Sequence, residues 1–194
     1  MLTLANSRRR FSRGRSSVMR GLKARKSLTA SKGWVRAPLW REIVRSIPIA
    51  CADIIFENLK GEILYGRREI EPYKGVRALP GGRLLYRESL THVAGRIADE
   101  YGLMFGRLFL VGVFPVSFPR RSDVSVALAA VPARGNARVD GFEFSKFIWL
   151  KRAPRGIGLN YGKMISEWLS KRESREYLRL SVIPRTAPRK TLRS

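Results

Sequence analysis

The sequence predicts one α/β domain, built as an α/β/α sandwich around a mixed β-sheet, with a basic tail at each end. Three observations lead to this prediction. The predicted elements follow the order strand, strand, helix, several strands, helix. The chain has 194 residues and 44% hydrophobic content, which suits one domain with its own core. The formal net charge is +24, and most of it lies near the ends. We therefore predict a basic extension over 1–41, the domain over 42–169 and a basic tail over 170–194.

The first predicted elements are two strands joined by a short turn. Residues 47–58 form a run rich in Ile and Ala, which predicts a buried strand. The turn-prone residues 58–61 follow, so residues 62–67 are expected to be the hairpin partner of that strand. Residues 69–80 contain two prolines and one glycine with little periodicity, and we predict a loop there.

The most regular segment is a predicted helix over residues 88–101. Its apolar residues recur on one helical stripe: Leu90, Val93, Ala94, Ile97 and Ala98. Gly102 follows directly, which is typical of a helix C-terminal cap. Downstream patterns predict strands over 106–118, 123–131 and 142–150, and an amphipathic helix over 161–169.

The excess positive charge is concentrated in the two tails. Residues 1–41 hold twelve Lys/Arg and no Asp or Glu, and residues 170–194 hold eight Lys/Arg and two Glu. Such segments bury too little apolar surface to offset the entropy lost on ordering. We expect both tails to be disordered when free and to bind polyanions such as RNA. Three alternatives stay open: a general effect on solubility, an organellar transit peptide and a true start at Met19.

Cysteine usage and hydropathy restrict the compartment. Cys51 is the single cysteine, so neither a disulfide framework nor a cysteine zinc site is expected. No window reaches the roughly 18 consecutive apolar residues of a membrane span, and the N-terminus lacks an apolar signal core. We predict a cytoplasmic protein with no membrane contact, and organellar import stays as the alternative. The oligomeric state is open, with a homodimer among the alternatives.

One stretch of the chain indicates a chemistry. A turn at Pro80-Gly81-Gly82 precedes the predicted helix, which ends in Asp99 and Glu100. Mg²⁺ prefers oxygen ligands and shares them with phosphate oxygens. A carbonyl from the glycine turn and a carboxylate from the helix are therefore suited to hold this ion against a diphosphate.

The same stretch resembles the signature box of the Nudix hydrolase family. In that box a glycine is followed after five residues by a glutamate and after seven more by an arginine, and Gly82, Glu88 and Arg96 keep these intervals. The match then slips, because the interval from Arg96 to Gly102 is one residue short. Over residues 43–83 the likeness extends to the GDP-mannose mannosyl hydrolase subgroup, whose own box is degenerate. The resemblance implies the sandwich architecture.

The resemblance assigns roles at the metal site. It implies that Glu100 is a metal ligand and that a glycine carbonyl completes the shell, either from Gly81, our choice, or from Gly82. Glu88 matches a structural glutamate that braces the loop against the helix. The alternative for Glu100 is an ion pair with Arg96 on a solvated helix face, worth about 0.3–0.5 kcal/mol.

The resemblance also implies substrate contacts and a catalytic pair. Arg68 and Arg83 align with arginines that bind the substrate diphosphate, for which the planar guanidinium is well suited. Asp53 aligns with a carboxylate that recognises the nucleotide sugar. The family places a metal-binding Gln and a general-base His where this chain has Glu143 and Phe144. Glu143 is suited to bind the metal and to take over as the base, whereas Phe144 cannot move a proton.

These features predict a Mg²⁺-dependent hydrolase, with Mn²⁺ as the other candidate ion, acting on a nucleoside diphosphate sugar such as GDP-mannose. The predicted catalytic residues are Glu100, Glu143 and Arg83. Water attacks the sugar carbon if the chemistry follows the GDP-mannose subgroup, and phosphorus if it follows the wider family. The alternative is a Nudix-shaped protein with little or no catalysis that binds RNA or a ribonucleoprotein through its basic tails.

Overall fold

Three helices and eight strands make up the described part of the chain. The computed structural model describes residues 35–71, 73–158 and 160–180. The predictions that the tails are disordered and bind polyanions fall largely outside these ranges. The helices are Ala37–Ser46 (α1), Leu90–Glu100 (α2) and Tyr161–Ser174 (α3). All described elements belong to one unit, Ala37–Ser194.

The strands form two sheets. In chain order they are Ile49–Phe56 (β1), Ile63–Arg68 (β2), Arg77–Ala78 (β3), Gly81–Arg83 (β4), Met104–Phe118 (β5), Arg121–Arg134 (β6), Phe144–Leu150 (β7) and Leu178–Leu180 (β8). The larger sheet has the order β4-β1-β6-β5-β8, and the smaller one has the order β3-β2-β7. Because β1 and β6 are parallel while their other neighbours are antiparallel, the larger sheet is mixed, as predicted.

The first two strands are not hairpin partners, so this part of the prediction is wrong. A single bridge joins Glu57 to Ile63, and the Asn58 N–H donates to the Glu62 carbonyl over 2.9 Å. Beyond this hairpin-like start, β1 pairs with β4 and β6, whereas β2 pairs with β3 and β7. The apolar pattern marks both segments as strands but does not specify their partners.

Both faces of the larger sheet are covered. Ile54, Ile55 and Phe56 are consecutive and all buried, although neighbouring side chains of a strand point to opposite faces. Helix α2 buries the predicted stripe, with four residues fully inside and Leu90 packed against the core. This layered packing agrees with the predicted sandwich.

Hydrogen bonds fix both ends of α2. At its start the Ser89 hydroxyl accepts from the His92 N–H over 3.2 Å. At its end the Leu103 N–H donates to the Ala98 carbonyl over 2.7 Å, and Gly102 has a φ of +70°. Gly102 is therefore the helix cap that the sequence predicts.

The folded part continues past the predicted domain end at residue 169. Helix α3 runs to Ser174, and β8 pairs with β5. The buried carboxylate of Glu57 accepts from Trp168 Nε1 and from Arg172 Nη1, each over 2.6 Å. Sequence reasoning missed this extension because Arg172 resembles part of a basic tail, whereas its partner is distant in the chain.

At the other end of the domain, α1 begins at Ala37, inside the segment predicted as the basic extension. The ring of Trp40, which belongs to this helix, lies against the guanidinium of Arg83. Within the described ranges, no helix is both long and apolar enough to span a membrane.

Candidate functional site

The two sheets meet where the chain passes from β3 to β4. Only Leu79 and Pro80 separate these strands, which belong to different sheets. The Pro80 carbonyl accepts from the Ile54 N–H over 2.8 Å, which ties the link to β1. This junction brings residues of β1 and β4 close to the end of β2.

Gly81 and Gly82 lie in strand β4 and not in a turn, and neither has a positive φ. The turn predicted at Pro80-Gly81-Gly82 is therefore wrong at the two glycines, but Gly81 lies close to β1. Gly81 faces Asp53 across the β1–β4 pair, and a Cβ on Gly81 would lie 2.9 Å from the Ala52 carbonyl oxygen and would overlap the Asp53 carboxylate. A Cβ on Gly82 would meet nothing closer than 3.9 Å. The surroundings therefore require glycine at position 81 only.

The β1–β4 register also determines where the Gly81 carbonyl points. The Ile54 N–H bonds to Pro80, and the Leu84 N–H bonds to the Ala50 carbonyl over 3.0 Å. Because bonded and non-bonded pairs alternate in an antiparallel ladder, Asp53 and Gly81 form a non-bonded pair. The Gly81 carbonyl therefore points away from β1, and β4 is the edge strand of the described sheet.

Asp53 lies at the centre of this junction. Its Oδ2 accepts a short hydrogen bond from the Ser125 hydroxyl on β6. Burial raises the pKa of Asp53 to about 6, against the opposing effect of the Ser125 hydrogen bond. Glu143 and Asp123 raise this pKa further, whereas Arg68 lowers it. Charged groups from both sheets therefore act on one carboxylate.

Arg68 at the end of β2 and Glu143 just before β7 form a close ion pair between Nη1 and Oε1. The two side chains are only 19% and 25% exposed. Burial raises the pKa of Glu143, the Arg68 guanidinium lowers it, and Asp140 raises it. The Asp140 carboxylate also holds the turn, since it accepts from the Glu143 N–H over 3.0 Å. Phosphate binding by Arg68 and metal binding by Glu143 would therefore use groups that already bind each other.

Glu100 is the last residue of α2, and it is exposed. Partial burial of its carboxylate raises its pKa, and the negative charges of Asp140 and Glu143 raise it further, whereas Arg96 lowers it. Its neighbours are thus other carboxylates, which repel the charged form of Glu100.

The alternative ion pair between Arg96 and Glu100 is not formed, because Arg96 binds Glu88. Arg96 Nε and Nη2 donate to the two carboxylate oxygens of Glu88 over 2.8 and 2.9 Å. Glu88 also accepts from the Leu85 N–H over 3.0 Å. Glu88 therefore braces the loop against the helix, as the family resemblance implied.

Arg83 lies on the same face of the larger sheet as Asp53. It pairs with Cys51, two residues before Asp53 on β1. Its Cζ is 4.1 Å from the centroid of the Trp40 ring, a cation–π contact that orients the guanidinium. Burial lowers the pKa of Arg83, and Asp123 is among the charges that act on it. The two predicted phosphate-binding arginines thus belong to different sheets on either side of the junction.

Solved structures with this architecture share one fold. The MutT Nudix hydrolase from Burkholderia pseudomallei superposes with a TM-score of 0.58 at 19% identity, over 63% of this chain and 98% of that one. The MutT protein from Methanosarcina mazei Go1 gives 0.56 at 17% identity, over 68% of this chain and 99% of that one. The Nudix domain of Shewanella oneidensis NrtR, complexed with ADP ribose, superposes with a TM-score of 0.56 at 15% identity. This superposition covers 71% of this chain and 98% of that one. The chain has the Nudix fold.

Sequence comparison gives a shorter likeness. The chain is 38% identical over 61 residues to the low-salt glycan biosynthesis protein Agl8 of Haloferax volcanii. The match spans 31% of this chain and 38% of that protein. No protein-family model matches the sequence. The Nudix fold is therefore assigned from the structure, and these comparisons do not assign an activity.

Phe144, which the resemblance places at the position of the family's general base, occupies a core position in this fold. Phe144 is fully buried, and its ring is edge-on to that of Tyr101 at a centroid distance of 5.7 Å. A Cβ on Gly66 would lie 2.6 and 2.8 Å from two Phe144 ring atoms, so the glycine and the ring are complementary. A histidine in place of Phe144 would be buried in the core. Any general base would therefore have to be another residue, and Glu143 is adjacent in sequence.

The oxygen donors around the junction of the two sheets can be compared with the ligand preferences of a divalent cation. Within residues 35–71, 73–158 and 160–180, no three His, Cys, Asp or Glu side chains converge on a metal position. The oxygen donors are Asp53 and the Gly81 carbonyl at the junction, and the carboxylates of Glu100, Glu143 and Asp140, whose charges act on one another. Mg²⁺ usually takes one or two carboxylates together with waters and substrate phosphates. The residues fit this shared mode of binding and do not fit a cage made by the protein alone.

Sequence reasoning missed three residues near the junction, which are Asp123, Ser125 and Tyr161. Ser125 is in register with Cys51, whose Sγ donates to Asp123 over 3.6 Å. The polar and apolar alternation of Asp123, Val124, Ser125 and Val126 is a signal that Asp123 and Ser125 share one face of β6. Tyr161, at the start of α3, is buried, and burial together with the charge of Asp53 raises its pKa well above the usual value. Nothing in the sequence distinguishes Tyr161 from an ordinary core residue.

Proposed function

We propose that this chain is a divalent-metal-dependent hydrolase of nucleoside diphosphate derivatives, with nucleotide sugars such as GDP-mannose as the expected substrates. The observation that supports this proposal is the convergence of Asp53, Gly81 and the Arg68–Glu143 pair at the junction of the two sheets. The Nudix fold and the ADP ribose bound by one structural neighbour agree with a diphosphate substrate. The likeness to a glycan biosynthesis protein agrees with a sugar.

Glu100, Glu143 and the Gly81 carbonyl are the residues that would hold Mg²⁺ or Mn²⁺. The bound ion would neutralise negative charge on the diphosphate and on the leaving group. Glu100 suits this role because the carboxylates around it leave an excess of negative charge at the end of α2. The Gly81 carbonyl suits it because it points to the open edge of β4.

Arg68 and Arg83 would bind the diphosphate oxygens. Trp40 orients the Arg83 guanidinium, so less side-chain freedom is lost on binding. A phosphate that binds Arg68 would compete with the Glu143 carboxylate. Substrate binding would thereby release Glu143 from Arg68, and the freed carboxylate has two oxygens, one suited to the ion and the other to take a proton from the attacking water.

Asp53 would recognise the nucleotide sugar. Ser125 occupies Oδ2, so Oδ1, beside Gly81, is the oxygen suited to accept from a substrate hydroxyl or amino group. Burial raises the pKa of Asp53 to about 6, which is still below neutral pH. Its carboxylate is therefore mostly ionised at neutral pH and accepts hydrogen bonds well. The Gly81 position keeps this oxygen accessible from the strand edge, since any side chain there would cover it.

The test is turnover by the purified full-length chain with Mg²⁺ or Mn²⁺, using GDP-mannose, other nucleotide sugars and ADP-ribose as substrates. Release of GDP and mannose would indicate attack at the sugar carbon, and release of GMP and mannose 1-phosphate would indicate attack at phosphorus. We expect Glu100→Gln to lower kcat by at least about 100-fold, the scale of losing a group that stabilises transition-state charge.

The matched control is Asp99→Asn, the same isosteric loss of one charge on the neighbouring residue of α2. We expect it to keep kcat within a few-fold of the unaltered chain. The hydrolase proposal fails if no substrate in the panel releases nucleotide, or if the Asp99 and Glu100 variants lose activity equally.

A further inference from the structure

An open cleft of about 590 Å³ lies between the end of α1 and the tip of the β5–β6 hairpin. One wall consists of residues 44–48, and the other consists of Ser117, Phe118 and residues 120–122. None of the residues assigned to the hydrolase site lines this cleft. It is therefore a second concave surface of the Nudix domain, with its own chemistry.

The cleft carries an excess of positive charge. Arg45 and Arg120 are exposed on opposite walls, and neither has an ion-pair partner within 4 Å among the described residues. Arg121 Nη2 donates to the Asp123 carboxylate in an ion pair over 2.8 Å. Its buried Nε has no hydrogen-bond partner in the part of the chain that the structure describes. One carboxylate thus offsets at most one of three guanidinium charges.

The hairpin wall is held in place and presents neutral donors beside the cations. Phe118 contacts the Arg121 guanidinium, with Cζ 4.6 Å from the ring centroid, and packs against the Tyr73 ring at 5.8 Å. Ser117 and Ser122 are exposed and lie directly opposite each other across the β5–β6 pair. Two hydroxyls and two guanidinium groups therefore lie together at the hairpin tip.

We propose that this cleft binds the sugar-phosphate backbone of a single-stranded nucleic acid. Guanidinium and hydroxyl donors in an open groove match phosphate oxygens and make no demand on base sequence. The cleft is open to solvent, as the entry of a flexible single strand requires. The proposal concerns binding alone and is independent of the hydrolase activity.

The charge of the rest of the chain favours a polymer over a single nucleotide. Residues 35–180 hold 25 Lys/Arg against 15 Asp/Glu. The segment 1–34, which is joined to α1 in sequence, adds ten Lys/Arg and no acidic residue. A long polyanion gains from many such charges through the release of its counterions, whereas a mononucleotide does not.

The experiment measures binding of a fluorescein-labelled oligouridylate of about 15 nucleotides to the full-length chain by fluorescence anisotropy, over a range of NaCl concentrations. The variant is Arg45→Ala/Arg120→Ala. The control is Arg152→Ala/Arg155→Ala, which removes two exposed arginines that do not line the cleft and leaves the same net charge. All four side chains are exposed, so both variants are expected to fold.

We expect the cleft variant to weaken binding by about 10-fold near physiological salt and to reduce the slope of log K against log salt by about 1.4, as expected for two lost phosphate contacts on a single strand. The control should stay within about twofold. Equal weakening in both variants would show that only net charge matters, and no weakening in either would show that other segments bind the strand. Both results overturn the proposal.

Competition separates the polymer from its small components. Unlabelled oligouridylate should displace the probe, whereas UMP and inorganic phosphate at the same total phosphate concentration should not. If UMP or phosphate displaces the probe as well as the oligonucleotide does, the cleft is a site for a small anion and the proposal is wrong.

Discussion

Gly81 and Gly82 are adjacent on the edge strand β4, but their surroundings differ. A Cβ on Gly81 would meet the Asp53 carboxylate and the Ala52 carbonyl oxygen, whereas a Cβ on Gly82 would make ordinary contacts at 3.9 Å. Asp53 cannot easily move aside because its other oxygen is bound by Ser125. Glycine is thus required at position 81 by a neighbouring side chain and not by backbone conformation.

We predict that Gly81→Ala lowers the free energy of unfolding by about 1–3 kcal/mol, the scale of overpacking in a packed site. It should also reduce any hydrolase activity, because the new methyl displaces Asp53. Urea denaturation followed by circular dichroism measures the first effect.

Gly82→Ala is the matched control for this substitution. Its backbone has no positive φ and its Cβ has space, so it should leave stability unchanged or raise it slightly through the lower entropy of the unfolded chain. Equal destabilisation by both variants would show that contact with Asp53 is not what requires glycine at position 81.

At the scale of elements, the second half of α3 and strand β8 show how a basic segment becomes part of a fold. Arg172 and Trp168 both bind the buried Glu57 carboxylate at the end of β1. After the helix, the Tyr177 ring packs against Phe109 with a centroid distance of 4.5 Å. Arg172 and Tyr177 lie in the segment that sequence patterns assign to the tail, whereas Trp168 lies just before it.

We predict that truncation after Leu169 lowers the free energy of unfolding by at least about 3 kcal/mol. The truncation takes one of two donors from a buried carboxylate and removes the aromatic packing of Tyr177 and the whole of β8. Thermal unfolding of the truncated chain measures the loss.

Truncation after Leu180 is the control, because it keeps the Glu57 contacts, the Tyr177 packing and β8. We expect its unfolding free energy to stay within about 1 kcal/mol of the full chain. If the two truncated chains are equally stable, α3 beyond residue 169 and β8 do not contribute to the fold.

At the scale of the whole molecule, the carboxylates at the junction of the sheets make stability depend on pH. Burial raises the pKa of Asp53 from 3.8 to about 6, so the folded state holds this proton more tightly than the unfolded chain. The stability that Asp53 contributes is therefore fully present below pH 3.8 and is lost as the pH rises through about 6.

We predict that Asp53→Asn removes this dependence. An asparagine oxygen still accepts from Ser125 but carries no charge to bury, so the variant should gain stability relative to the unaltered chain as the pH rises. The relative gain between about pH 4 and pH 7 should reach up to about 3 kcal/mol.

Urea denaturation of both proteins at the two pH values, without added divalent cations, measures the difference. Glu88, whose pKa is lowered by Arg96 in spite of burial, is present in both proteins and cancels in the comparison. If the variant is destabilised by the same amount at both pH values, burial does not penalise the charged form of Asp53.

Much of the fold could be predicted from the sequence because secondary structure follows local periodicity. The stripe from Leu90 to Ala98 and the cap at Gly102 are local patterns, and the structure has both. The family resemblance implied the bracing role of Glu88, and the structure has its contacts. The resemblance also pointed to Asp53, Arg68, Glu143 and Glu100 as candidate site residues but could not describe their surroundings.

By itself, the sequence determined most of the long strands and the helices α2 and α3, how charge is distributed, and which polar residues stand out against an apolar background. Only the tertiary structure decided that β1 and β2 belong to different sheets, that Arg68 pairs with Glu143 and that Ser125 binds Asp53. The physical reason is that strand pairing and the burial of charges depend on groups far apart in the chain, and no local pattern records which distant groups will meet.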